Sequence, residues 1–390
     1  MPHLHIERFN PLPLPHRHGD VTFEYLAENV LHDDEKLIAV RMEEKAFFLL
    51  LKTLPGKTLL KADKLSRPSP TWYVKKALLA YAEAAGLNVL ASNVDTADTG
   101  MHLDDNRALW SIHDFAERFP TDREVRIEVG FGSGRHLLHQ AKTHPNILFI
   151  GIEIHKPSVE QVLKQINIRK LDNLLLLDYD ARLFLELVPS NLVGRIYVHF
   201  PVPWDKKPHR RVISEAFVNE SIRVLAPGGK LELRTDSDNY FAYSFDTFMR
   251  LGRNHLEIRK NRDIAVSSKY EDRWKRQEKN IYDLILHNDT LSEPLAPLEA
   301  FTFAPAACDE AHLRALNGQT LRFEGGFVHF ERLYRLGDGR MMFRLSLGPF
   351  ERPEHLYLLL GDVPEYFPAT PVRSRTNLEA HRRLKEALDG

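Results

Sequence analysis

At 390 residues the chain is longer than one ordinary compact domain, so two or three domains are expected, and 43% apolar with 27% charged residues excludes a disordered or fibrous protein. A formal net charge of −1 and a pI near 7.1 exclude a uniformly basic nucleic-acid binder and an acidic tail protein. The single cysteine, Cys308, excludes an internal disulfide and a Cys-rich zinc site, no run approaches the roughly 20 apolar residues of a membrane helix, and a soluble, reduced, cytoplasmic protein is expected.

The first hundred residues read as strands before a helix. His3–Phe9 and Val21–Leu26 alternate, and Lys36–Lys52 reads as two strands rich in Val, Phe and Leu. Thr71–Ala85 has helical spacing, with Val74, Leu78, Leu79 and Ala82 on one face, and Gly86 ends it. Ser92–Asn106 reads as a linker and Leu109–Phe119 as a short lead-in helix. From Val125 the rhythm changes to short apolar strands alternating with helices. The strands are Val125–Gly130, Ile147–Glu153, Leu174–Asp178, Arg195–Phe200 and Lys230–Thr235. Helices are expected at Arg135–Thr143, Lys156–Lys170, from Asp180, across Ile213–Leu225 and over Tyr240–Leu251. This alternation predicts βαβ units and a mainly parallel sheet, closed by a terminal strand pair, His255–Arg259 with Ile281–His287. The last hundred residues return to strands: Leu321–Leu336 and Arg340–Leu347 flank the turn Gly337-Asp338-Gly339, and Thr376–Leu388 reads as a terminal helix. No internal repeat is visible.

The strongest local signal is Glu128-Val129-Gly130-Phe131-Gly132-Ser133-Gly134, at the end of the first strand of the alternating region. Gly130, Gly132 and Gly134 let the backbone turn sharply and leave room for a ligand. The spacing is G-x-G-x-G preceded by an acid, which differs from the G-x-G-x-x-G of dinucleotide sites. Glu128 would repel a pyrophosphate and suits a cation; S-adenosylmethionine carries an ammonium and a sulfonium. Glu153 ends the second strand, where an acid accepts from ribose hydroxyls, and Asp180 follows the third, where one accepts from an adenine amino group. Each acid alone reads as a solvated loop residue. Three at successive strand ends read as a cofactor crevice, because the strand C-termini line it. The fourth strand runs into His199-Phe200-Pro201-Val202-Pro203-Trp204-Asp205-Lys206-Lys207-Pro208-His209-Arg210-Arg211, an aromatic followed by a cationic cluster that suits a nucleobase with its phosphates.

Together with Thr235-Asp236 and Ser268-Lys269-Tyr270-Glu271, these motifs occur in the order of the tRNA (guanine-N7-)-methyltransferases, and residues 110–290 resemble that family. The resemblance implies a class I, Rossmann-like S-adenosylmethionine-dependent methyltransferase fold and methylation of guanine N7 at tRNA position 46, in the variable loop. It implies cofactor roles for Glu128, Glu153 and Asp180, beside the loop glycines Gly130, Gly132 and Gly134. It also implies substrate roles for Lys206, Asp236 and the segment Ser268, Lys269, Tyr270 and Glu271, where serine stands in place of the family's threonine. One position departs from the pattern: the family has Phe-x-Asp-Pro-Trp, and this chain has Val202 at the aspartate. Asp205 and Asp236 are the carboxylates left to orient the base, so both are candidate catalytic residues.

The expected architecture is therefore α/β: an accessory domain at 1–109, the methyltransferase core at 110–290 and a second β-rich accessory domain at 291–390. Segment charges of −3 over 1–120, +4 over 121–290 and −2 over 291–390 place the excess cations in the core, at Lys206–Arg211 and Arg259–Lys279. His3, His5, His16 and His18 form two His-x-His pairs that read as strand residues without a metal. Phe323, Phe327, Phe330 and Tyr334 read as core of the last domain rather than an RNA-stacking sheet. S-adenosylmethionine is the expected cofactor and tRNA the expected partner. Two other readings stay open: a catalytically silent tRNA-binding protein, favoured by Val202, and a methyltransferase for another RNA.

Overall fold

Alternating side chains in the first segment become antiparallel strands in the computed structural model, which describes residues 2–68, 71–94, 106–252, 255–263, 266, 279–305, 309–350 and 352–389. The first elements are β1 (His3–Ile6), β2 (His16–His18), β3 (Val21–Asn29), β4 (Glu35–Met42), β5 (Lys45–Leu54), β6 (Lys57–Ala62), α1 (Trp72–Ala84) and β7 (Val89–Ser92). Val21, Phe23, Ile38, Val40 and Leu49 point to one face, and α1 covers it with Val74, Ala77, Leu78 and Tyr81.

The central segment contains α2 (Ile112–Glu117), β8 (Val125–Val129), α3 (Arg135–Thr143), β9 (Leu148–Ile152), α4 (Lys156–Arg169), β10 (Leu174–Leu177) and α5 (Ala181–Phe184). It continues with β11 (Val193–His199), α6 (Glu215–Val224), β12 (Leu225–Thr235), α7 (Asp238–Met249), β13 (His255–Lys260) and β14 (Tyr282–His287). Among the described residues the strand order is β10-β9-β8-β11-β12-β14-β13. All neighbours are parallel except β14, which runs antiparallel to β12 and to β13. The order reverses between β8 and β11, and at such a switch point the two loops diverge to leave a crevice at the strand C-termini. The predicted α/β core, with its terminal strand pair, is the one observed.

The last segment folds as α8 (Glu310–Leu316), β15 (Thr320–Phe323), β16 (Gly326–Leu336), β17 (Met341–Pro349), β18 (Glu354–Leu360), β19 (Glu365–Phe367) and α9 (Arg375–Asp389). Here the structure departs from the three expected domains. Residues 1–103 and 298–390 form one unit, and 104–297 form the other. The two ends of the chain share a sheet in the order β19-β18-β17-β16-β3-β4-β5-β6-β1-β7, with β2 and β15 added beside β3 and β16. At the seam Tyr334 pairs with Asn29, Arg335 with Glu28 and Leu336 with Ala27. Buried Glu35 binds Arg332 and accepts from the Tyr334 hydroxyl at 2.6 Å, so the seam is held by side chains as well as backbone.

This unit also holds a repeat that the sequence conceals. The order short strand, three long strands, short strand, helix occurs twice, as β2–β6 with α1 and as β15–β19 with α9. The halves mirror each other about the β3–β16 seam, as a local two-fold axis requires. Val21-x-Phe23-Glu24 on β3 answers Val328-x-Phe330-Glu331 on β16, and each strand bulges just after its phenylalanine. The buried stripe of α9, Asn377, Ala380, His381 and Leu384, repeats the spacing of Val74, Ala77, Leu78 and Tyr81 on α1.

Candidate active site

The loop after β8 carries Gly130, Gly132 and Gly134, all with positive φ, at 69°, 53° and 69°. A Cβ on Gly134 would lie 2.4 Å from Val162 of α4, so glycine there lets α3 start close against α4. On Gly130 or Gly132 a Cβ would meet nothing within 4 Å, so the loop faces open space. Gly134 also caps α3 without a side chain, leaving the first-turn N–H groups available to a ligand.

Three acids stand at the successive strand ends, as expected. Glu153 accepts from the Gly132 amide at 2.9 Å and from the amides of Ile154 and His155 at 2.9 and 3.0 Å. It thus braces the glycine loop, and a carboxylate with about four acceptor sites keeps one for a ligand. Asp180 caps α5 through the Arg182 amide at 3.0 Å and pairs with the Arg182 guanidinium at 2.7 Å. Glu128 lies beneath α3 with its side chain only 5% exposed, and its carboxylate sits 2.7 Å from His136 Nδ1. His136 was not foreseen in the sequence. Burial pulls its pKa down, but the charge and hydrogen bond of Glu128 outweigh burial and raise it.

The loop after β11 leaves the sheet beside the end of β12, because the Phe200 amide donates to the Arg234 carbonyl at 2.7 Å. Phe200 and Trp204 take positive φ values of 49° and 46°, a strained conformation for bulky residues that clusters at functional loops. Buried Arg211 holds the loop in shape. It donates to the Pro203 carbonyl at 2.7 Å and to Asp205 at 3.2 Å, and it lies 4.5 Å from the centre of the Tyr243 ring. Asp205 is therefore tied to its own loop, and its side chain is half exposed. Val202 and Lys206 are exposed, and Trp204 carries Arg210 over its ring at 5.2 Å. Asp236 follows β12 with its side chain 18% exposed and accepts from Lys279 Nζ at 3.1 Å. Ser268, Lys269, Tyr270 and Glu271 lie outside the described residues, as do Cys308 and part of the Ser92–Asn106 linker.

Beneath both loops runs a buried polar layer. His199 Nε2 lies 3.2 Å from Glu232, Arg262 reaches Glu232 at 3.4 Å, and the His136 and His199 rings are 4.6 Å apart. Arg234 and Asp283 pair at 2.5 Å with neither side chain exposed. Burial pushes the Glu232 pKa up, but the His199 hydrogen bond and the charges of His199, Arg195 and Arg262 hold it at about 2. The available signal was the alternation Lys230-Leu231-Glu232-Leu233-Arg234, which sends charges to one face of a central strand. Chemically the crevice offers open backbone amides, acids at three strand ends and an aromatic with cations on its rim. Those features suit a cationic nucleoside beside an anionic partner carrying a base.

A family described as "Putative methyltransferase" matches residues 122–284. Over its full length the chain is 45% identical to a Wolinella succinogenes protein named tRNA (guanine-N(7)-)-methyltransferase, which it also covers entirely. It is 36% identical to the protein of the same name in Campylobacter jejuni subsp. jejuni, over 100% of this chain and 98% of that one. The Helicobacter pylori protein of that name is 36% identical over 97% of this chain and 94% of its own. Shared over both units and not the core alone, this similarity makes the chain a member of the tRNA (guanine-N7-)-methyltransferase family.

Proposed function

We propose that the protein, in the cytoplasm, transfers the methyl group of S-adenosylmethionine to N7 of the guanine at position 46 of tRNA. The observation that carries this reading is the open, uncapped glycine loop with Glu128, Glu153 and Asp180 at three adjoining strand ends, beside the strained Pro-Trp loop.

The residues present fit the cofactor. Open space over Gly130 and Gly132 accepts its backbone-hugging part, and the remaining acceptor site of Glu153 suits the ribose hydroxyls. Asp180 takes the adenine amino group while sharing its carboxylate with Arg182. Glu128 is the third acid at the crevice, held in place by its hydrogen bond with His136. When bound, S-adenosylmethionine supplies an electrophilic methyl group. Guanine N7 has a free lone pair at neutral pH, so no residue has to remove a proton before attack. Alignment supplies most of the acceleration. Asp236 accepts from the guanine N–H edge and offsets the positive charge that forms on the base. Asp205 acts through Arg211 to hold the loop, while Trp204, Lys206 and the segment Ser268–Glu271 contact the RNA.

The test is incubation of the protein with labelled cofactor and unmodified tRNA, followed by mapping of the product. Label recovered as N7-methylguanine is the expected result. Val202 favours the second reading, a silent tRNA binder; cofactor and tRNA binding with no turnover would establish it.

A further inference from the structure

The two faces of the central sheet carry opposite charge. Right-handed crossovers place α3 and α4 on one face, because β8, β9 and β10 step one way, and α6 on the other, because β11 and β12 step the opposite way. α7 packs with α6 against β12 and β14. α3 and α4 together carry five Lys and Arg residues and one acid, Glu160. α6 and α7 carry four acids and one cation, Arg223. The helices on one face thus carry net positive charge and those on the other net negative charge.

The positive side contains a cleft of about 630 Å³ between α3 and α4. Arg135, His139 and Lys142 line it from α3, and Gln161, Gln165 and Arg169 from α4. Among the described residues that line it there is no carboxylate. Arg169 Nη2 donates to Gln165 Oε1, a neutral partner, at 3.2 Å. Ser133, from the glycine loop just ahead of α3, also lines the cleft.

We infer that the α3–α4 groove is a track for the RNA phosphodiester backbone, leading away from the methyl-donor site. The inference rests on the tRNA reading above and adds a contact surface to it, separate from Lys206–Arg211; Val266 of the Arg259–Lys279 segment also lines the cleft. Cations give such a track its affinity, and glutamine amides and a serine hydroxyl fix the strand by hydrogen bonds to phosphate and sugar. In this reading the groove contributes affinity and leaves the choice of guanine to the catalytic loops.

The test measures tRNA affinity for the full chain across a salt series, for the wild type and for Lys142→Gln/Arg169→Gln. Each phosphate contact contributes roughly 0.7–0.9 to the slope of log K against log salt, so the double variant should lose about 1.5. Its KM for tRNA should rise, its cofactor affinity measured without RNA should equal that of the wild type, and Lys142→Arg/Arg169→Lys should restore the slope. An unchanged slope and KM in the double variant would overturn the track. If wild-type protein binds tRNA but makes no N7-methylguanine, the proposed activity fails instead, and the salt slopes still decide the groove.

Discussion

His136 and Glu128 share a hydrogen bond where neither side chain is more than 10% exposed, so the pair makes stability depend on pH. The folded pKa of His136 lies above its ordinary value of 6.5. Its contribution is therefore complete below about pH 6.5 and fades as pH rises through the folded value. The stability gap between wild type and His136→Gln should be widest near pH 6 and shrink toward pH 9 in melting experiments; a constant gap would contradict the pairing. Glu232 behaves in the opposite sense: its contribution is complete above the ordinary 4.5 and is lost as pH falls toward about 2. The two catalytic candidates also separate at this scale. Asp236→Asn should lower single-turnover methyl transfer about 10²-fold, by misaligning the base. Asp205→Asn loosens a half-exposed pair worth under about 1 kcal/mol and should cost only a few-fold. Equal losses in both variants would contradict this division. The three acids and the glycines were legible because each is tied to a strand end. Their partners His136 and Arg182, eight and two residues further along the chain, were not, because spacing alone does not say which way a side chain turns at the start of a helix.

Among the elements, the parallel core read most clearly. β9 is Leu148–Ile152 and β10 is Leu174–Leu177, apolar runs of the kind that buried parallel strands produce. β12 was anticipated from Lys230, but it begins at Leu225, because the backbone passes Gly228 and Gly229 still paired, with a register shift opposite Val193. Arg234 of that strand is fully buried against Asp283 of β14. Removing one partner strands the other charge without water. Asp283→Ala should cost about 3–5 kcal/mol in urea unfolding, whereas a double replacement of both by apolar residues should recover much of that. A loss under about 1 kcal/mol for the single change would show that the pair does not hold β12 to β14.

For the whole molecule, the largest departure is that the two ends make one unit. A strand edge carries only backbone donors and acceptors, so nothing in Ala27–Asn29 names Tyr334–Leu336 as its partner. The repeat stayed hidden for a related reason: hydrophobic pattern, bulge position and helix stripe recur, while the shared residues reduce largely to Val-x-Phe-Glu. A net charge of −1 likewise averages over a sheet with one cationic and one anionic face. Among the described residues no helix is long and apolar enough to cross a membrane. The central claim, methyl transfer to guanine N7, is tested most directly by product mapping on unmodified tRNA with labelled S-adenosylmethionine. N7-methylguanine at position 46, absent from a transcript with that guanine replaced, is the predicted result. Label at any other atom or nucleotide, or none from protein that binds both substrates, would contradict it.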